Sequence, residues 1–151
     1  MSTVALSGND TLIINNRILS DLADGDVATL EFPNNIADVK TGKNGNSIYT
    51  LNETGKNAEL TIRVIRGSSD DKYLNQLLTS QEQNFAGTVL MIGEFIKKIG
   101  DGKGSITSDT YITSGGIFQK RVHAKSNVEG DTSQSVSEYK MKFSNAPRVL
   151  T

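Results

Sequence analysis

Tyr49-Thr-Leu-Asn-Glu-Thr-Gly55, followed after a short gap by Leu60-Thr-Ile-Arg-Val-Ile-Arg-Gly-Ser-Ser-Asp-Asp-Lys-Tyr-Leu-Asn-Gln-Leu-Leu78, decides how the rest of the chain is read. In Ala58 to Ile65, Leu60, Ile62 and Val64 alternate with Thr61, Arg63 and Ile65, the period of a strand with one buried face. Ser47 to Asn52 is expected to pair with it across a turn at Thr54-Gly55-Lys56. Gly67 breaks the strand, and Ser68 or Ser69 can accept from the free N–H groups of a following helix. Asp70 and Asp71 then fall at the positive end of that helix. Tyr73, Leu74, Leu77 and Leu78 recur at helical spacing, so a helix over about 69–81 should lay an apolar stripe on a sheet.

Outward from this unit the chain reads as short strands and tight turns. Towards the N-terminus, Thr11-Leu-Ile-Ile14 and Arg17-Ile-Leu19 flank Asn15-Asn16, a pair that tolerates left-handed backbone and suits a hairpin. Asp24-Gly25 is a turn signal before a strand over Val27 to Phe32, stopped by Pro33. Lys40, Thr41, Gly42, Lys43, Asn44, Gly45 and Asn46 carry no apolar side chain, which predicts an exposed loop free to order against a neighbouring subunit. Towards the C-terminus, Phe85 to Ile99 is apolar on both faces, with Phe85, Val89, Met91 and Phe95 against Leu90, Ile92 and Ile96. A central strand, or one whose second face meets another chain, has that pattern, and Gly87 and Gly93 favour a bend or bulge in it. Gly100-Asp-Gly-Lys-Gly104 should close a hairpin into Ser105 to Thr113. Gly115-Gly116 should introduce a further strand, Ile117 to Ser126. Val136 to Phe143 alternates Tyr139, Met141 and Phe143 with Glu138, Lys140 and Lys142, and the tail from Asn145 is expected to be irregular.

About eight strands with one helix in 151 residues predict a single mainly β domain, a β-sandwich or partly closed β-barrel with a flanking helix. The 14 Gly against only 2 Pro fit many tight turns, and the absence of Cys removes disulfides and thiolate metal sites from consideration. No apolar run of 18 residues is present, so no membrane-spanning helix is expected, and the first residues lack the basic start of a secretory signal. The formal charge of -1 lacks the basic excess of a dedicated nucleic-acid binder. Arg63 with Arg66, Lys97 with Lys98, and Lys120 with Arg121 read as strand faces or subunit salt bridges.

Catalytic chemistry has little to draw on. The Gly100, Gly102 and Gly104 run departs from the phosphate loop, which needs Gly-Lys-Ser/Thr opening a helix, and it lacks the spaced acidic ligands of a calcium loop. His123 is the one histidine, so any zinc shell or Ser-His-Asp triad would depend on it, and no Gly-x-Ser-x-Gly elbow is present. No enzyme activity, cofactor or metal is expected. An enzyme or ligand-binding reading would need a concave site around His123.

Three stretches carry a resemblance: Asp24-Gly-Asp-Val-Ala-Thr-Leu-Glu-Phe-Pro33, Ile48-Tyr-Thr-Leu-Asn-Glu53, and Leu60 to Leu78 with its Arg66-Gly-Ser-Ser-Asp-Asp-Lys-Tyr-Leu-Asn75 junction. Over this first half the chain resembles the tail tube proteins of tailed bacteriophages, particularly those of contractile tails, which are similar in fold to the inner tube of type VI secretion. The second half agrees in pattern only. The resemblance implies a structural virion protein, assembled in the host cytoplasm, whose hexameric rings join their inner sheets into one barrel and stack into a tube. Its implied partners are a surrounding sheath, the baseplate and the tail terminator, with DNA passing through without specific binding. Val89, Met91, Ile92, Ile106, Ser108, Thr110 and Ile112 are expected on the inner-barrel strands, and 40–46 on an inter-ring loop. A non-stacking ring or decorating module of the virion, or the tube of a phage-derived bacteriocin, are the alternatives.

Overall fold

A computed structural model describes residues 3–6, 10–23, 27–122 and 135–151. In chain order the strands are β1 (Ala5–Leu6), β2 (Thr11–Ile14), β3 (Arg17–Ile18), β4 (Ala28–Glu31), β5 (Ala37–Thr41), β6 (Ser47–Leu51) and β7 (Ala58–Ile65). Helix α1 (Ser69–Gln83) follows, then β8 (Met91–Gly100), β9 (Ile106–Phe118), β10 (Val136–Asn145) and β11 (Arg148–Leu150). The chain is mainly β with one α-helix among the described residues, as its alternation predicts.

Nine of these strands form one antiparallel sheet in the order β3-β2-β8-β9-β10-β7-β4, with β1 also beside β8 and β11 also beside β9. Asn15 and Asn16 sit at φ 50° and 66°, the left-handed pair that a two-residue hairpin between β2 and β3 requires. Beyond β3 the chain leaves β2 and runs along β7. Ile65 donates to the Asp21 carbonyl at 2.9 Å, Ala23 donates to Arg63 at 2.9 Å, Leu22 bridges Val64, and β4 completes the pairing. Residues 17–23 therefore join β2 to β7, which lie towards opposite ends of the sheet, and curl it around one core. One cluster fills it, joining Leu12 and Ile14 of β2 to Leu60, Ile62 and Val64 of β7 and Tyr139, Met141 and Phe143 of β10. The turn signal at Asp24-Gly25 lies outside the described residues.

Helix α1 covers this core with Leu74 and Leu78, and Tyr73 and Leu77 pack at its margin. Ser68 is its N-cap, accepting from the Asp71 N–H at 3.2 Å. The two aspartates of the first turn do more than complement the helix dipole. Asp70, 0% exposed, accepts from the backbone N–H groups of Ser20 and Asp21, each at 2.7 Å, and from Arg17 Nε at 3.1 Å. The Arg17 guanidinium also lies 4.9 Å from the Tyr73 ring centre. Asp71 accepts from the Tyr139 hydroxyl at 2.5 Å and from the Ser137 hydroxyl at 3.0 Å. At the far end Gln81 behaves like a strand neighbour, donating to the Phe118 carbonyl at 2.9 Å and accepting its N–H at 2.8 Å. The helix is thus tied to the β3 corner, to β10 and to the end of β9.

Burial, and after it the bond to the Asp71 carboxylate, pushes the Tyr139 phenol well above its ordinary value. The folded state then keeps a proton that the unfolded chain releases above about pH 10, so this contribution to stability is complete below that pH and falls as pH rises. The urea midpoint should drop above about pH 10, and a Tyr139→Phe variant should lose that part of the drop. Equal alkaline slopes in the two proteins would contradict the assignment.

Five expectations change. First, β6 pairs with β5, not with β7, whose two edges are taken by β10 and β4. Thr54-Gly55-Lys56 belongs to a 3-10 turn over Glu53–Lys56, which separates the two strands. Second, the strand expected from Phe85 begins only at Met91, because Asn84 caps a 3-10 turn over Phe85–Gly87. Third, Gly115-Gly116 does not start a new strand. Instead β9 runs through it and carries one more residue than β8 between the pairs Met91–Gly116 and Gly93–Thr113, so the irregularity is a bulge. The distal part of the strand expected over Ile117 to Ser126 lies outside the described residues. Fourth, the tail is not irregular throughout. β11 pairs with β9, and Arg148 grips Asp109 through Nε at 2.7 Å and Nη2 at 2.8 Å. That bond holds the Asp109 carboxyl below the usual carboxylate range. Fifth, Lys40 and Thr41 belong to β5, so the exposed loop expected over 40–46 is shorter.

Candidate assembly surfaces

Every residue from 31 to 51 is exposed, and β5 and β6 within this segment pair only with each other. They form a projecting arm. Gly42 donates to the Asn46 carbonyl at 2.7 Å and Gly45 donates to Gly42 at 3.0 Å, with Gly45 at φ 82°. Lys43-Asn44-Gly45 is thus a three-residue hairpin loop ending in a left-handed glycine. The apolar-free stretch over 40–46 is therefore the tip of the hairpin, with Lys40 and Thr41 ending β5 and Gly42, Lys43, Asn44, Gly45 and Asn46 making the turn.

The pairing register separates two faces. Ala37 opposite Leu51, and Val39 opposite Tyr49, put four apolar side chains on one face, while Asp38, Thr50, Lys40 and Ile48 share the other. Tyr49 is 79% exposed and Leu51 70%, so among the described residues nothing covers this apolar face. An isolated two-stranded hairpin is marginal in water at best.

A second unpartnered face belongs to the β8–β9 hairpin. Glu94, Ile96 and Lys98 lie opposite Ile112, Thr110 and Ser108, and Gly100 lies opposite Ile106, all on the face turned away from the core. Ile13 of β2 and Val149 of β11 extend it through their pairing with Glu94 and Thr110. Of the seven residues expected on inner-barrel strands, Ile92, Ile106, Ser108, Thr110 and Ile112 share this face. Met91 does not: it has the opposite strand parity and is buried in the core. Val89 precedes β8 and is 86% exposed. Ile92, Ile106, Ile112 and Val149 are all exposed, an unusual concentration of large apolar side chains for one face of a sheet.

The concave features hold little chemistry. A cleft of about 460 Å³ lies between the end of α1 and the start of β8, lined among others by Leu77, Gln81, Thr88, Met91 and Phe118. No carboxylate, imidazole or amine lines it, so it offers no general acid or base. Asp101, in the β8–β9 turn, is occupied structurally: it accepts from the N–H groups of Lys103 at 2.7 Å and Ser105 at 3.1 Å, which hold its carboxyl low. Among the described residues no group of three or more His, Cys, Asp or Glu side chains gathers around a common point. His123 lies outside the described residues. No helix is long and apolar enough to cross a membrane among them.

The arm's asymmetry and the tie of α1 through Asp70 and Gln81 are functional or architectural features that sequence reasoning missed. The alternation of Val39 and Tyr49 with Asp38, Lys40 and Thr50 was the available signal for the first. The sequence matches no known family profile and no curated protein.

Proposed function

We propose that this chain is a non-enzymatic structural subunit whose copies close into hexameric rings that stack into the inner tube of a phage tail. The observation that carries this reading is the projecting β5–β6 arm, whose apolar face finds no partner among the described residues of its own chain. A second copy is the occupant that supplies one such surface for every arm. The exposed face of β8–β9 gives each subunit another region to complete on closing a ring. Both features accompany the three sequence stretches that resemble contractile-tail tube proteins. In this role the tube sits in the virion within a sheath, between baseplate and terminator. DNA passes along a channel that binds it weakly, since a chain of net charge -1 has no excess of cations to neutralise phosphates.

Negative-stain electron microscopy of the purified protein, with mass photometry across a concentration series, tests the proposal. Six-fold rings and tubes lengthening with concentration are the expected result. Rings that never stack would favour a terminator-like or decorating role instead. A monomer at every concentration, together with parent particles whose tube is made of another protein, would overturn it.

A further inference from the structure

Gly55 lies at the root of the arm and is buried, although the residues on either side of it are exposed. A Cβ placed there would stand 2.5 Å from Ile36 Cα, 2.6 Å from the Asn35 carbonyl oxygen and 2.9 Å from the Asn35 carbonyl carbon. All three are backbone atoms, so no rotamer change can make room. Hydrogen bonds surround this contact. Asn52 donates its N–H to the Ile36 carbonyl at 2.8 Å, Gly55 donates to Asn52 at 3.0 Å, and Asn34 Nδ2 donates to the Thr54 carbonyl at 3.3 Å. Asn52 Oδ1 in turn accepts from the Thr54 N–H at 3.2 Å and the Thr54 hydroxyl at 2.7 Å. The incoming strand of the arm is thereby pressed onto the 3-10 turn of the outgoing one. That turn leads directly into β7, whose first residue, Ala58, is fully buried.

We propose that the Gly55 seat is a positioning device that fixes the direction of the arm relative to the barrel before any neighbour binds. The inference rests on the assembly role given to the arm above. A free flap would lose its freedom of direction on every docking event, whereas a seated arm has lost it during folding, and such preorganisation strengthens association without any new contact. The geometry also sets the size of the effect. Moving a Cβ from 2.5 Å to an ordinary contact near 3.4 Å opens the root by about 1 Å. Across a strand spacing of about 5 Å, and along an arm of about 20 Å, that becomes about 4 Å at the tip.

The sequence has no Cys, so spin labels at Lys43→Cys on the tip and Lys72→Cys on α1 report the arm's direction without further changes. Pulsed electron spin resonance on dilute, unassembled protein should give one narrow distance distribution with Gly55 in place. Gly55→Ala should displace it by about 4 Å or broaden it. A distribution already broad with Gly55, or one unchanged by Ala, would overturn the seat. Should circular dichroism show that Gly55→Ala does not fold, Asn52→Ala serves instead: it adds no atom, removes the cap of the 3-10 turn, and should broaden the distribution. An unchanged narrow one would again overturn the seat. Tube yield separates the two ideas. A displaced arm with reduced yield supports both, while a displaced arm with full yield upholds the seat and removes the arm from stacking.

Discussion

Serine at both Tyr49 and Leu51 should leave the subunit folded and abolish its assembly. The two side chains are exposed on the same face of the arm, so the lone chain loses almost no burial when they are removed. In a ring or tube the same side chains would be covered, and burying a residue of this size is worth about 1.5–3 kcal/mol. Losing both removes about 4 kcal/mol per arm, or about a thousandfold in the association constant of each contact. Each subunit of a ring carries the defect, so the losses repeat around it. The measurement is a pair: thermal melting of dilute protein, expected within about 2 °C of the parent, and sedimentation of concentrated protein, expected to show no tubes. Tubes of normal length and yield would mean that the arm's apolar face is not a contact. A collapsed melting temperature would mean that it is already covered within the monomer.

Asp70→Ala should have the opposite signature, damaging the fold itself. Removal of its carboxylate takes the acceptor from the Ser20 and Asp21 N–H groups and from Arg17, while Arg17, partly exposed, can turn to water. Hydrogen bonds to a charged acceptor are worth about 1.5–3 kcal/mol each, so a total near 4 kcal/mol is expected, and about 10 °C in melting temperature for a chain of this size. Asp70→Asn keeps the volume and one acceptor and should lose less. The effect is large because this carboxylate joins the first turn of α1 to the corner where residues 17–23 leave β2 for β7. Melting of Asp70→Ala within about 2 °C of the parent would show that this corner does not hold the barrel together.

Local features of the fold were legible in the sequence wherever a residue's own chemistry determines its conformation. Asn15-Asn16 announces the β2–β3 turn, Ser68 announces the start of α1, and the alternation of Tyr139, Met141 and Phe143 announces the buried face of β10. Partner choice was not legible. Alternation tells which side chains share a face, but not that both edges of β7 would be taken by β10 and β4, leaving β6 to pair with β5. Met91 could have been separated from Ile92 on the sequence, since adjacent strand residues face opposite ways; which of the two faces meets the core could not. Of the candidate surfaces, Ile106, Ser108, Thr110 and Ile112 could be placed on one face from spacing alone. The arm was missed although Val39 and Tyr49 alternate with polar neighbours: its tip read as a loop because the apolar residues that make it a hairpin lie outside 40–46. Gln81 at the end of β9 gave no signal, since a glutamine on a helix reads as solvated until its neighbour is known.

The route by which residues 17–23 bridge the sheet also governs how fast the chain can reach its final form. Thr11 pairs with Ile96, and Ala5 with Gly100, so these strands wait for some ninety further residues before they are matched. Topologies ruled by such distant pairings fold in roughly milliseconds to seconds, and their unmatched strands invite misassembly in the interval. During synthesis, β7, α1 and the β3 corner can meet early, while the outer edges of β1 and β2 stay open until β8 arrives.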